Sequence, residues 1–99
     1  MAKYVLTNKA VEDLTRIWNY TYEVWSENQA DKYYELLISA FEEVAESPAL
    51  GKSYAALSKE ILGFKVGKHI VFYRTLALKE VEVVRALHAR MDLNNRMRE

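Results

Sequence analysis

The sequence predicts an α+β fold in the order β-α-α-β-β-β. An N-terminal strand leads into a helical hairpin, then a three-stranded antiparallel meander with a short C-terminal helical turn. Two observations predict it. From Asn8 to Ala45 apolar residues recur at helical spacing, interrupted once at Ser26. From Phe64 onward the period changes to runs rich in Val, Ile, Phe and Tyr, split by two short reversals. With 99 residues, a single domain over 1–99 is expected.

Lys3 to Leu6 reads as the first strand. Thr7 follows as an N-cap whose hydroxyl can accept a backbone N–H of the first helical turn. Along the first helix one apolar row is Val11, Leu14, Trp18, Tyr22 and Trp25; a second is Ala10, Leu14, Ile17, Thr21 and Val24. Glu12, Asp13, Arg16 and Glu23 fall mostly between these rows and are expected to be wet. Ser26-Glu27-Asn28-Gln29 fits a capping box, so a second helix starts directly after the first and forces a tight hairpin. Its apolar stripe is Ala30, Tyr33, Tyr34, Leu37, Phe41, Val44 and Ala45. Pro48 disfavours helix at Ser47 and has no N–H to donate, so the helix stops there. Trp18, Trp25, Tyr33 and Phe41 are expected to pack between helices and sheet.

Ala49 to Glu60 is a connection of low pattern content. Phe64 to Val66, His69 to Leu76 and Glu80 to Leu87 read as strands. Gly67-Lys68 and Ala77-Leu78-Lys79 reverse the chain between them, which makes the pairing antiparallel. Met91 to Met97 reads as the last helical turn. On a regular strand His69, Val71, Tyr73 and Thr75 oppose Ile70, Phe72, Arg74 and Leu76. Likewise Val81, Val83, Arg85 and Leu87 oppose Glu82, Val84, Ala86 and His88. No set is fully polar, yet two helices cover only one face of a sheet. The second face calls for a cover, either a partner chain or the C-terminal segment folded back.

Composition excludes several functions. There is no cysteine, which removes disulfides, thiolate catalysis and thiolate zinc sites. The two histidines, His69 and His88, have no carboxylate at ligand spacing, so neither metal nor cofactor is expected. No apolar run approaches the roughly 20 residues that span a bilayer, and the first residues lack a signal-peptide stretch, which points to a soluble, cytoplasmic protein. The formal net charge is zero but uneven: residues 1–62 hold 6 basic against 10 acidic residues, and residues 63–99 hold 8 against 4. The second half is therefore the side suited to an anionic partner. No helix-turn-helix is visible and the helices are acidic on their wet face, so direct sequence-specific DNA binding is not expected.

Four blocks carry a family resemblance over nearly the whole chain. They are Ile17-Trp18-Asn19-Tyr20-Thr21 with Trp25-Ser26-Glu27-Asn28-Gln29-Ala30 and Tyr33; Pro48-Ala49-Leu50-Gly51; Gly67-Lys68-His69-Ile70-Val71-Phe72-Tyr73-Arg74; and Val83-Val84-Arg85-Ala86-Leu87-His88-Ala89-Arg90-Met91-Asp92. In this order they resemble ParE-type toxins of the RelE/ParE superfamily, whose strands carry G-x-H-x-x-F-Y-R and R-x-L-H-x-x-M-D. The chain departs from many relatives before Gly67. Where they carry Gly-Tyr-Arg it has Glu60-Ile61-Leu62-Gly63-Phe64, with Lys65 as the nearest base.

The resemblance implies a RelE/ParE-like fold and the toxin of a type II toxin–antitoxin system, acting in plasmid or chromosome maintenance. It implies inhibition of DNA gyrase by protein–protein contact and neutralisation by a ParD-type antitoxin. On that basis the antitoxin-facing candidates are Trp18, Tyr22, Trp25, Tyr34, Phe72 and Arg74. The target-facing candidates are Lys65, Arg85, His88, Arg90 and Arg96. Two alternatives stay open: a RelE-like ribosome-dependent mRNA endonuclease, and an inactive antitoxin-binding family member. The nuclease branch needs a base, an acid and cations around a phosphorane. Here no Tyr follows Tyr73, and Arg85 and His88 have opposite strand parity, so no catalytic residue is assigned.

Overall fold

Thr7 sets the geometry at the start of the chain. In the computed structural model, which describes residues 2–54 and 59–90, the Thr7 hydroxyl accepts the Ala10 N–H at 3.0 Å and so caps the first helix. The same hydroxyl donates to the Val84 carbonyl at 2.7 Å, and the Thr7 N–H donates to the Val83 carbonyl at 3.1 Å. One residue thus ends strand β1 (Lys3–Leu6), starts helix α1 (Asn8–Val24) and ties both to the last strand, β5 (Glu80–His88).

Ser26 repeats the device. Its hydroxyl accepts the Gln29 N–H at 3.1 Å and caps α2 (Glu27–Glu46). Only Trp25 and Ser26 separate the helices, so the hairpin is as tight as the sequence predicts. Pro48 opens a short 3-10 turn (Pro48–Leu50) after Ser47 closes α2. The connection that lacks a pattern contributes a two-residue strand, β2 (Lys52–Ser53), before β3 (Leu62–Val66) and β4 (His69–Ala77). Met91–Met97, the expected helical turn, lies outside the described residues.

The sheet runs β1-β5-β4-β3-β2. The meander β3-β4-β5 is antiparallel as expected, and β2 extends it antiparallel. The first strand departs from the expected all-antiparallel sheet: β1 lies parallel to β5, with Tyr4 opposite Val81 and Leu6 opposite Val83. A parallel pair needs a crossover, and the α1–α2 hairpin and the rest of the sheet supply it.

Both helices pack on one face. Leu14, Leu37, Phe41, Val71 and Val83 form one cluster there, and Val44, Tyr73 and Val81 a second. Phe41 is fully buried, and Tyr4 meets its ring edge-on at 5.4 Å. Each such side chain contributes roughly 1.5–3 kcal/mol by leaving water. Tyr73 is fully buried with its hydroxyl satisfied: it donates to the Pro48 carbonyl at 2.6 Å and accepts the Gly51 N–H at 2.9 Å. The second face carries its own cluster of Ile61, Ile70, Phe72 and Leu87. Tyr54 meets Phe72 edge-on at 5.1 Å. The cover of this face is therefore partly the connection between α2 and β3, a third answer beside the two the sequence left open.

The expected facing of β5 is half right. Phe72 pairs with Arg85 but Tyr73 with Val83, so Val84 is an extra residue, a β-bulge. Past it the parity inverts. Leu87 joins the second face with Ile70, while Ala86 pairs with Val71 and His88 with His69 on the helical side. A second shift leaves Leu76 as the extra residue of β4.

Candidate functional site

The outer surface of the helical hairpin is apolar where a solvated helix should be polar. Only Ala10, Asp13 and Leu14 of α1 are buried, all in its first half. Val11, Tyr22, Val24 and Trp25 are each about half exposed or more. Leu6, Val11, Leu14, Thr15, Trp18, Asn19 and Tyr34 line a shallow groove of about 400 Å³. Trp18 is held rigidly in it. Its ring stacks on Tyr22 at 5.3 Å with 15° between planes, and its Nε1–H donates to Asp31 Oδ1 of α2 at 3.1 Å. An aromatic side chain fixed before binding loses little entropy on contact, which is the property of an interface anchor.

A polar cluster sits where β3, β4 and β5 meet at the Gly67-Lys68 turn. The Tyr33 hydroxyl lies 2.6 Å from His69 Nδ1 and accepts the Lys68 N–H at 3.1 Å. Burial, then the neighbouring His88, lowers the His69 imidazole from 6.5 to about 4, against an opposing pull from Asp13. The same hydroxyl lies 3.3 Å from the Val66 carbonyl, to which it can also donate, so the Tyr33–His69 hydrogen bond runs in either direction according to the His69 tautomer. Burial raises the Tyr33 phenol, opposed by the Lys68 N–H. The His88 ring meets His69 edge-on at 5.3 Å, and its Nδ1 accepts the Arg90 N–H at 3.1 Å.

Asp13 is the residue that sequence reasoning misplaces. It is 3% exposed, not wet, and Arg85 is 4% exposed. Arg85 Nε donates to Asp13 Oδ2 at 2.7 Å and Nη2 to Oδ1 at 2.9 Å, a two-pronged pair. The Ala86 N–H adds a third bond to Oδ2 at 3.1 Å. The carboxylate thereby satisfies the strand just past the bulge, beyond the last residue that β1 pairs with. The signal was present: Ala10, Asp13, Leu14 and Ile17 share one helical face, so the acid interrupts a core stripe.

The candidates from sequence divide accordingly. Trp18, Tyr22 and Tyr34 come together on the hairpin, the first and last in one groove. Trp25 does not pack under the helices; it is the α1 C-cap and 69% exposed. Phe72 is fully buried on the opposite side of the sheet and offers a partner no surface, because Ile61, Ile70 and Leu87 enclose it. Arg74 pairs with Glu82 at 2.7 Å, away from the groove. Lys65 and Arg90 are exposed and His88 half-buried near the Gly67 turn. Arg85 is committed to Asp13 and does not present its charge to a target. Arg96 lies outside the described residues. The parity expected of a regular strand does not hold past the bulge, but Arg85 and His88 engage different partners, Asp13 and the Arg90 N–H.

A helical hairpin laid on one face of a β-meander, with a parallel first strand, has a counterpart among solved structures. One structure, "Chromosomal ParDE TA system from P. aeruginosa", matches with a TM-score of 0.75 over 89% of this chain and 96% of that one, at 16% identity. The chain belongs to the ParE toxin family: the model for "ParE toxin of type II toxin-antitoxin system, parDE" matches residues 4–93. It is 31% identical over 96 residues to Toxin ParE1 of Mycobacterium tuberculosis, covering 97% of this chain and 98% of that protein. It is 35% identical over 92 residues to Toxin ParE1 of Caulobacter vibrioides, covering 93% and 94%.

Proposed function

We propose that this ParE-family toxin acts without breaking bonds, by gripping DNA gyrase, and that a ParD-type antitoxin neutralises it by occupying the hairpin groove. The observation that carries the reading is the exposed aromatic surface of Trp18, Tyr22 and Tyr34, an adhesive face on a chain of only 99 residues. The burial of Arg85 against Asp13 supports a non-catalytic toxin, since it withholds the best-placed strand arginine from a phosphate. Lys65, His88, Arg90 and Arg96 are the target-facing residues in this reading, and Trp25 extends the antitoxin surface beyond the groove. The site of action is the cytoplasm, where the target resides.

Purified toxin is expected to inhibit gyrase supercoiling and to leave ribosome-bound mRNA intact. Cleavage of the message with gyrase unaffected would overturn the proposal in favour of an endonuclease. Trp18→Ala and Tyr34→Ala are each expected to weaken antitoxin binding by about 2 kcal/mol, or some 30-fold, as anchors in desolvated grooves do. Titration calorimetry with the antitoxin measures this. Unchanged affinity in both variants would remove the groove from the interface.

A further inference from the structure

The described strand half of the molecule, from Gly63 to Arg90, carries six cations. Three have carboxylate partners: Arg74 with Glu82, Lys79 with Glu46 and Arg85 with Asp13. Lys65, Lys68 and Arg90 form no ion pair among the described residues, and all three are exposed. These three are also the ones that share one end of the sheet. Val66 pairs with His69 and His69 with His88, which sets Lys65, the Lys68 turn and Arg90 around one tip. The Ala89 N–H donates to the Lys68 carbonyl at 3.0 Å and fixes Arg90 beside the turn. The two imidazoles lie on the helical side of this tip, whereas Lys65, paired with Ile70, lies on its other side. Each has its Nδ1 engaged, His69 with Tyr33 and His88 with the Arg90 N–H. A His88 Nδ1 that accepts a backbone N–H leaves that ring's own N–H donor on Nε2.

We propose that this tip binds the phosphate backbone of duplex DNA without regard to sequence. Lys65, Lys68 and Arg90 supply the charge, and the His88 Nε2–H supplies a directional donor. An acidic peptide is the competing ligand, but a peptide interface needs apolar anchors at its centre. No exposed large apolar side chain lies among described residues 59–75 or 79–90. Phosphates are bound by charge and N–H donors alone. The choice of duplex DNA over RNA rests on the gyrase reading above, in which the target holds DNA; the unpaired charge at the tip does not.

The test is fluorescence anisotropy of the purified chain with a short labelled duplex over a salt series. Three phosphate contacts predict a slope of log K against log salt of about −2.7, a loss of about 40-fold between 50 and 200 mM. Lys68→Gln is expected to weaken binding several-fold and to reduce the slope by about 0.9. Lys65→Gln with Lys68→Gln and Arg90→Gln is expected to abolish binding, while Lys9→Gln and Lys79→Gln, on α1 and at the other end of the sheet, leave it unchanged. Amide shifts on adding DNA are expected at residues 65–69 and 88–90. No binding at low salt, equal loss in the two control variants, tighter binding of single-stranded RNA, or competition only by an acidic antitoxin peptide would each overturn the proposal. Gyrase assays on the same variants keep the two readings apart. DNA binding without gyrase inhibition defeats only the target assignment, and gyrase inhibition without DNA binding defeats only this one.

Discussion

Asp13 and Arg85 show how much one buried pair can decide. Both ions are removed from water, and three hydrogen bonds to the carboxylate offset that cost. Asp13→Ala leaves a buried guanidinium and an unpaired Ala86 N–H, and is expected to destabilise the fold by about 3–5 kcal/mol. Urea denaturation measures it. Adding Arg85→Met should recover part of that loss; a fully additive double variant would show that the pair is not coupled. His69 gives a pH signature. Its pKa falls from 6.5 to about 4 on folding, so the unfolded chain binds a proton there that the folded chain does not. Stability is expected to be complete above pH 6.5 and to fall by about 1–2 kcal/mol toward pH 4, after discounting for solvent around the half-buried ring. His69→Gln should flatten that slope, and an unchanged slope would assign it to another group. The partner of Asp13 was illegible in the sequence because it lies 72 positions away. A charge inside an apolar stripe marks the site but does not name what answers it.

Among the elements, what could be read locally was read well. Thr7, Ser26 and Pro48 set their helix boundaries through groups no more than four residues away, and the structure places both caps where the sequence does. What needed register was lost. The Val84 bulge inverts the facing of Ala86, Leu87 and His88, and no periodicity within β5 announces it. The parallel seat of β1 and the two-residue β2 likewise exist only once neighbours are in place. The placement of the antitoxin-facing candidates was half legible: Trp18 and Tyr34 share one groove on the helices, whereas Trp25 falls at a cap and Phe72 across the sheet. The β3–β4 turn offers a direct trial of element geometry. Gly67 has φ +58°, and a Cβ there would come within 2.8 Å of the Tyr33 ring and hydroxyl. Gly67→Ala is expected to destabilise by about 2–3 kcal/mol, combining left-handed strain with displacement of Tyr33. Hydrogen exchange at the Lys68 amide, which donates to that hydroxyl, should speed up in the variant. A neutral substitution would mean that the turn can change type.

At the scale of the molecule, no helix among the described residues is long and apolar enough to cross a membrane, and most of the exposed large apolar side chains among the described residues belong to the hairpin. A partner that binds only the folded form adds its binding energy to the fold. Antitoxin at 100 times its dissociation constant is expected to raise stability by about 2.7 kcal/mol. For a domain of this size that is an increase of roughly 10–20 °C in Tm, readable in a thermal melt. Trp18→Ala should shrink the increase while leaving the free toxin's melt close to the parent's; an equal increase would place the partner elsewhere. The seat of β1 has one more consequence. Lys3 to Leu6 find their places only against Glu80 to Val83, so a chain still being translated has an orphaned front end until its back end emerges. The molecule cannot be assembled piecemeal: its front edge is seated only by the stretch made last among its strands.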